Sequence, residues 1–410
     1  MATYSWKGRA KSVAMAGTIT PTAVNSETYT IGIPDVTNGK TVAYTADASA
    51  TVAEITAALY ALLAASEEPE FLEITWADAT THLTWVSKTP GTPVTIASAA
   101  TGVATLVTAT TTANVSPNDI NNANNWLSTA GAYAVPGNND TAVFDDGDVD
   151  AMWNLSALAA VTGITVYRRK GYTGRIGLPT YNPTGYFEYR ATELAFAGGT
   201  FFLELNASDQ AEQLKFTCGA TAGTFHINGE GSQTLGEEQV WIRGTGNNVI
   251  NVTNGSAACA PVGALATTVT TLRATSSTVR TGQGCTVTTV SNYGSTIEIN
   301  GSVTTLAHYG AASATYVKDA GVITNAPSLT DGTLFYMSSA DLPGPTIGTD
   351  ATVDFTQDTR ARTVTGNVTI RKGGRWLDPY GTVSGVAFVS DAAIEEYELS
   401  LPAGKTVTIS

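Results

Sequence analysis

The sequence predicts a mainly β protein: a small α+β domain at the N-terminus, then a parallel β-helix (a solenoid) with a C-terminal cap. Three observations predict it. Only 14% of the 410 residues are charged, Thr, Ala and Gly dominate, and the aliphatic residues come in short runs, a composition of many strands and turns. A single stretch, residues 51–66, carries a clear helical period. Between residues 269 and 320 one short phrase recurs about every 18 residues, as it does when each coil of a solenoid lays the same strands on the same faces.

The first domain is placed at residues 1–112. "ETYTIGIPDVTNGKTVAYTAD" alternates apolar and polar residues on both sides of Asn38-Gly39, the signal of a hairpin, since Asn-Gly tolerates positive φ in a tight turn. Gly39-Lys40-Thr41 is no phosphate loop, because Pro34 stands where that loop needs glycine; Gly404-Lys405-Thr406 fails likewise, with Leu399 at the same place. In "TVAEITAALYALLAAS", Thr51 and Glu54 have the spacing of a capping box. Val52, Ile55, Leu59, Leu62 and Leu63 fall on one face, and Glu67, Glu68 and Pro69 end the helix. "EFLEITWA", "THLTWVSK", "PVTIAS" and "ATLVTAT" then read as four strands, with Trp76 and Trp85 as packing residues on the middle ones.

Residues 113–150 read as a linker and opening loop. "NNANNWLSTAGAYAVPGNNDTAVFDDGDVD" mixes turn formers with Trp126, Tyr133 and Phe144. Asp146, Asp148 and Asp150 have the alternate spacing of a calcium loop. Ala151 and Ala157 stand where that loop requires glycine and glutamate, so the acids are expected to be structural, with calcium as the alternative.

The solenoid is placed at residues 151–385. Val269-Thr270-Thr271-Leu272, Val287-Thr288-Thr289-Val290 and Val303-Thr304-Thr305-Leu306 repeat, interleaved with a second series anchored at Thr278, Thr296 and Thr315. Alternation points Val279 and Ile297 inward, Arg280 and Glu298 outward. Residues 386–410 break the register and are expected to cap the stack.

Chemistry is sparse. Cys218, Cys259 and Cys285 fit no zinc spacing and read as small buried hydrophobes. His82, His226 and His308 join no nucleophile motif. Glu230, Glu237, Glu238 and Asp354 are the carboxylates available for sugar cleavage, yet no inserted loop builds a groove around them. No catalytic residue and no cofactor is therefore expected. Lys and Arg number 21 against 35 Asp and Glu, a net charge of −14. Without a basic footprint, nucleic acid is not an expected partner. The start "MATYSWKGRA" lacks the apolar core of a secretory signal, and no apolar run is long enough to span a membrane. Synthesis in a cytoplasm, with no membrane partner, is the expectation.

Residues 27–112, with their Thr-rich hairpin and Ala/Leu helix, resemble the small β-rich domains of tailed-phage particle proteins. Asn125-Trp126, Val135-Pro136-Gly137 and Asp140 to Asp145 are similar to the "NW…VPG..DTAVFD" opening of β-solenoids from phage particles and bacterial surfaces, whose aromatics plug the end of the coil stack. "RRKGYTGRIGLPTYNPTGYFEYR", residues 168–190, resembles the run that follows such an opening. The resemblance implies a non-enzymatic virion protein, a capsid decoration or head-spike component first. A tail fibre or a tailspike that binds or degrades host surface polysaccharide is the alternative, and a bacterial surface adhesin a further one. It also implies partners among other virion proteins such as the major capsid protein, self-association as a homo-oligomer such as a trimer, and a host surface glycan under the tailspike reading.

Overall fold

A computed structural model describes residues 1–34, 40–182, 185–260, 266–390 and 398–402 of the chain. It is mainly β, with small N-terminal β domains and a parallel β-solenoid from about residue 141 to 400, about 11 turns in all.

The small domain has a core of its own, built on Ile19, Tyr29, Ile31, Ile55, Leu59, Phe71 and Trp85. Strands Thr28–Ile33 and Lys40–Thr45 pair antiparallel; the Asn38-Gly39 turn lies outside the described residues. The helix spans Val52–Ala64, with the Thr51 side chain accepting from the Glu54 amide. Only half of the capping box forms, because the Glu54 carboxylate receives the Tyr44 hydroxyl instead. Ile55, Leu59 and Leu63 are buried, whereas Leu62 is 40% exposed. Pro69 does not end that helix. It opens a second helical turn, Pro69–Leu72, because its fixed φ suits a first helical position. The strand expected from Glu70 therefore starts at Ile74.

Strands Ile74–Asp78, Leu83–Ser87, Ala16–Pro21 and Leu106–Thr112 make one sheet, in that order. Trp76 faces Trp85 across the first two, so Trp76 stands on the edge strand. Gly17 lies opposite Trp85; a Cβ there would come within 2.4 Å of the indole and 2.2 Å of the Ala109 carbonyl oxygen, so only glycine lets these strands close. Residues 97–100 carry the strand expected one block earlier, at "PVTIAS".

The first strand, Thr3–Trp6, leaves this domain altogether. It pairs parallel with Thr141–Phe144 and antiparallel with Trp126–Ser128. Thr141–Phe144 pairs with Ile164–Arg168, so the opening loop already holds the first rung, upstream of the expected start at Ala151. Trp6, Trp126, Phe144 and Tyr172 stack at this end: Trp126 lies 5.1 Å from Trp6 and 5.5 Å from Phe144, and Phe144 5.3 Å from Tyr172. All four are buried, and the Trp126 indole donates to the Ile120 carbonyl at 2.8 Å.

Two long faces continue the stack. On the first, Val269, Val287 and Val303 are in register. On the second, Thr278 pairs with Thr296 and Thr296 with Ala314. The third anchor is thus Ala314, not Thr315; Thr315 is one residue out of phase and points inward, since side chains alternate along a strand. Val279 and Ile297 face the core, while Arg280 and Glu298 lie outside it. The outer row Thr141, Thr165, Thr200 and Thr224 is aligned rung over rung, where β-branched side chains fit the pleat. The described part of residues 386–410 extends the stack rather than breaking it: Ala387–Ser390 and Glu398–Ser400 pair parallel with the preceding coil. Among the described residues no helix is long and apolar enough to cross a membrane.

Candidate functional site

Between Ile176 and the strand Leu194–Ala195, the chain leaves the solenoid as a hairpin. Tyr181 and Phe187 bridge antiparallel, and the Asn182 amide donates to the Tyr186 carbonyl. The hairpin reaches Glu73, the residue that closes the Pro69–Leu72 turn of the small domain. The Tyr186 hydroxyl donates to Glu73 Oε1 at 2.5 Å, and the Tyr189 hydroxyl to Oε2 at 3.4 Å.

Arg190 is the hub. Its Nε and Nη2 donate to the two oxygens of Glu188 at 2.6 and 2.9 Å. Nη1 donates to the Pro93 carbonyl at 2.9 Å, and Nη2 also reaches Glu73 at 3.3 Å. The guanidinium lies over the rings of Trp153 and Tyr189, 5.0 and 4.6 Å from their centroids, a placement arginine favours over lysine. Burial opposes its charge, but the hydrogen bonds to Glu188 and the surrounding carboxylates outweigh that and hold its pKa above the ordinary value. Burial first, then the bond to Glu73, pushes the Tyr186 phenol well up; burial does the same to Tyr189. Both therefore stay protonated as donors.

Beside this hub lies a cavity of ≈ 450 Å³, walled by Glu73 and Thr92 of the small domain and by Trp153, Leu178 and Arg190 of the solenoid. A second of ≈ 190 Å³, reaching Thr95 and Asn154, shares Trp153 and Arg190 with it. A pocket of this size at a domain junction is where small ligands are usually held. No repeat or catalytic motif of the sequence marks it. The signal was present in "YFEYR", residues 186–190, an aromatic and charged cluster within a Thr- and Ala-rich chain.

The residues nominated from sequence do not gather there. Asp146 and Asp148 are exposed, and Asp150 accepts from the Arg175 amide at 2.7 Å. Among the described residues no three His, Cys, Asp or Glu side chains group as a metal cage. Glu230 pairs with Lys170 at 3.0 Å and Glu237 accepts from Ser232. Glu238 is wholly buried, 2.9 Å from Arg280. Asp354 accepts from the Thr356 amide at 2.7 Å. The coil of Glu238 and that of Asp354 are separated by successive pairings from Val240–Thr253 through 256–259, 278–281, 296–299, 314–319 and 332–338 to 351–354. Six rungs at roughly 4.8 Å each set them about 29 Å apart, against the ~5–9.5 Å that paired glycosidase carboxylates need.

His82 bonds to Thr81, and His308 is buried against the Thr315 hydroxyl at 2.7 Å. His226 stacks on Phe202, which stacks on Tyr167, at 5.0 and 4.9 Å. The three rings form one ladder, and the Arg169 guanidinium lies over the Tyr167 ring, 4.6 Å from its centroid. Cys218, Cys259 and Cys285 are free thiols and buried; burial pushes Cys218 up to about 12.

No family model, curated protein or solved structure matches the chain.

Proposed function

We propose that this chain is a non-enzymatic structural component of a tailed-phage particle, a capsid decoration or head-spike protein. The observation that carries the reading is the double lock between the small domain and the solenoid. The first strand of the chain seals the first coil, and Arg190 bolts the hairpin to Glu73 and Pro93. A stiff rod fixed to a compact domain suits a projecting particle component. The opening loop, whose Trp126 and Phe144 form the plug, is the segment that resembles phage solenoids. The separation of Glu238 from Asp354 supports a role without glycan cleavage.

Phage particles bearing the chain, purified and labelled with antibody raised against it, should carry the label on the head. Label confined to the tail would move the assignment to a fibre or tailspike, and unlabelled particles would remove it. Incubation of the purified protein with capsular polysaccharide or lipopolysaccharide should release no oligosaccharide. Release that is lost in Glu238→Gln or Asp354→Asn would establish the degrading tailspike instead. A particle component of this kind self-associates, and sedimentation should give a homo-oligomer such as a trimer.

A further inference from the structure

We propose that the cleft between the small domain and the solenoid binds a neutral saccharide, with Trp153 and Met152 as its apolar contacts. Some groups in the cleft are already engaged and others are not. Among the described residues lining the two pockets the one cation is Arg190, and each of its nitrogens donates to a protein oxygen. Both oxygens of Glu188 accept from it. The charges are therefore spent on one another, and among the described lining residues no unpaired cation is left for a phosphate, sulfate or carboxylate.

What remains is neutral. The side-chain hydroxyls of Thr89, Thr92 and Thr95 and the amide of Asn154 line the cleft and form no hydrogen bond with other described residues. A hydroxyl both donates and accepts, which suits a ligand whose own hydroxyls do the same. Between these groups the wall is apolar: Trp153, Met152, Leu178 and Pro179. Trp153 and Met152 belong to both pockets, and the Arg190 guanidinium lies over the indole, 5.0 Å from its centroid, so a ligand running through the cleft passes beside this stacked pair. A ring with an apolar C–H face and a hydroxylated rim matches that pattern, and a cavity of ≈ 450 Å³ lies within the usual range for small-molecule sites, about 300–1,000 Å³. The stacked Tyr167, Phe202 and His226 do not compete for this role, since none of them lines either pocket. The proposal stands whether or not the chain belongs to a phage particle.

Titration calorimetry and saturation-transfer NMR on the full chain, with cellobiose, maltose and chitobiose as probes and glucose 6-phosphate as the anionic control, test it. At least one neutral disaccharide should bind saturably, and glucose 6-phosphate should not. Trp153→Ala should weaken binding by about tenfold or more. Thr92→Val, which keeps the side-chain shape and removes one hydroxyl, should weaken it about threefold while the protein melts as wild type. If Trp153→Ala proves unfolded, Thr92→Val decides. Failure of all three disaccharides to bind, equal binding of the phosphate, or unchanged affinity in the folded variants would overturn the proposal.

Discussion

Arg168 Nη2 lies 2.5 Å from Asp209 Oδ1 inside the solenoid, with side-chain exposures of 0% and 1%. Arg168 occupies a core position, in register with Phe144 and Leu203, and its other terminal nitrogen donates to the Glu204 carbonyl. The Asp209 carboxylate also caps the turn by accepting from the Asn206 amide. Removing one partner leaves a charge buried without compensation, which typically costs about 3–5 kcal/mol. Asp209→Ala should therefore lower the melting temperature sharply. The double change Arg168→Met with Asp209→Ala should recover much of the loss. Additive losses in a double-mutant cycle would show the pair to be uncoupled.

The aromatic plug makes a second prediction. Trp126 touches both Trp6 and Phe144, and truncating a buried aromatic costs about 3–5 kcal/mol. Trp126→Ala should melt early and aggregate, because the end of the coil stack is uncovered. Asp148→Asn should melt as wild type, with or without added calcium. Destabilisation of the wild type by a chelator, mimicked by Asp148→Asn, would instead make the three acids a metal site.

Among the described residues the two hydrophobic cores share none: one uses positions from 19 to 106, the other Trp6 and positions from 120 onward. A fragment of residues 12–113 should thus give a folded β spectrum by circular dichroism. Deleting residues 1–8 should leave that fold intact yet lower the melting of the solenoid, whose sealing strand is then missing. A random-coil spectrum from the fragment would place the boundary elsewhere.

His308 sets a pH dependence. Burial pushes its imidazole down to about 4, below its ordinary 6.5, so the unfolded chain takes up the proton first as pH falls. The stability this group contributes is complete above about pH 6.5 and is lost as pH drops towards 4, by roughly 3 kcal/mol in total. Carboxylates with lowered values, such as Glu298, lose their contribution only below their own ordinary range. Melting followed from pH 7 to 4.5 should therefore slope in wild type and be flatter in His308→Asn. Equal slopes would remove His308 as the cause.

Much of the solenoid was legible in the sequence. The spacing of Val269, Val287 and Val303 and the alternation around Val279 and Ile297 are local properties: a period near 18 dictates stacking, and a period of 2 dictates which side faces inward. The same rule explains the error at Thr315. Thr and Ala both fit an outward position in "ATYVKD", and only the pairing of Thr296 with Ala314 fixes the phase. The helix start at Thr51 was equally local, whereas Leu62 turned outward because the small domain's sheets cover only the Ile55, Leu59 and Leu63 stripe.

The cleft was not legible, nor was the destination of the first strand. Thr3 meets Thr141 across more than a hundred residues, and Glu73 meets Arg190 across a similar distance. No period or local propensity encodes such meetings. They follow from where the folded coils and the small domain bring their surfaces together, and a single sequence specifies them only through the packing of the whole chain. By itself the sequence determined the repeat, the inward and outward sides of its strands and the aromatic character of the opening loop. Tertiary structure decided that Trp6 joins Trp126 and Phe144 in the plug, that Glu238 and Asp354 lie rungs apart, and that Arg190 ties its carboxylates beside Trp153, because each depends on contacts whose free energy is gained only once distant segments are held together.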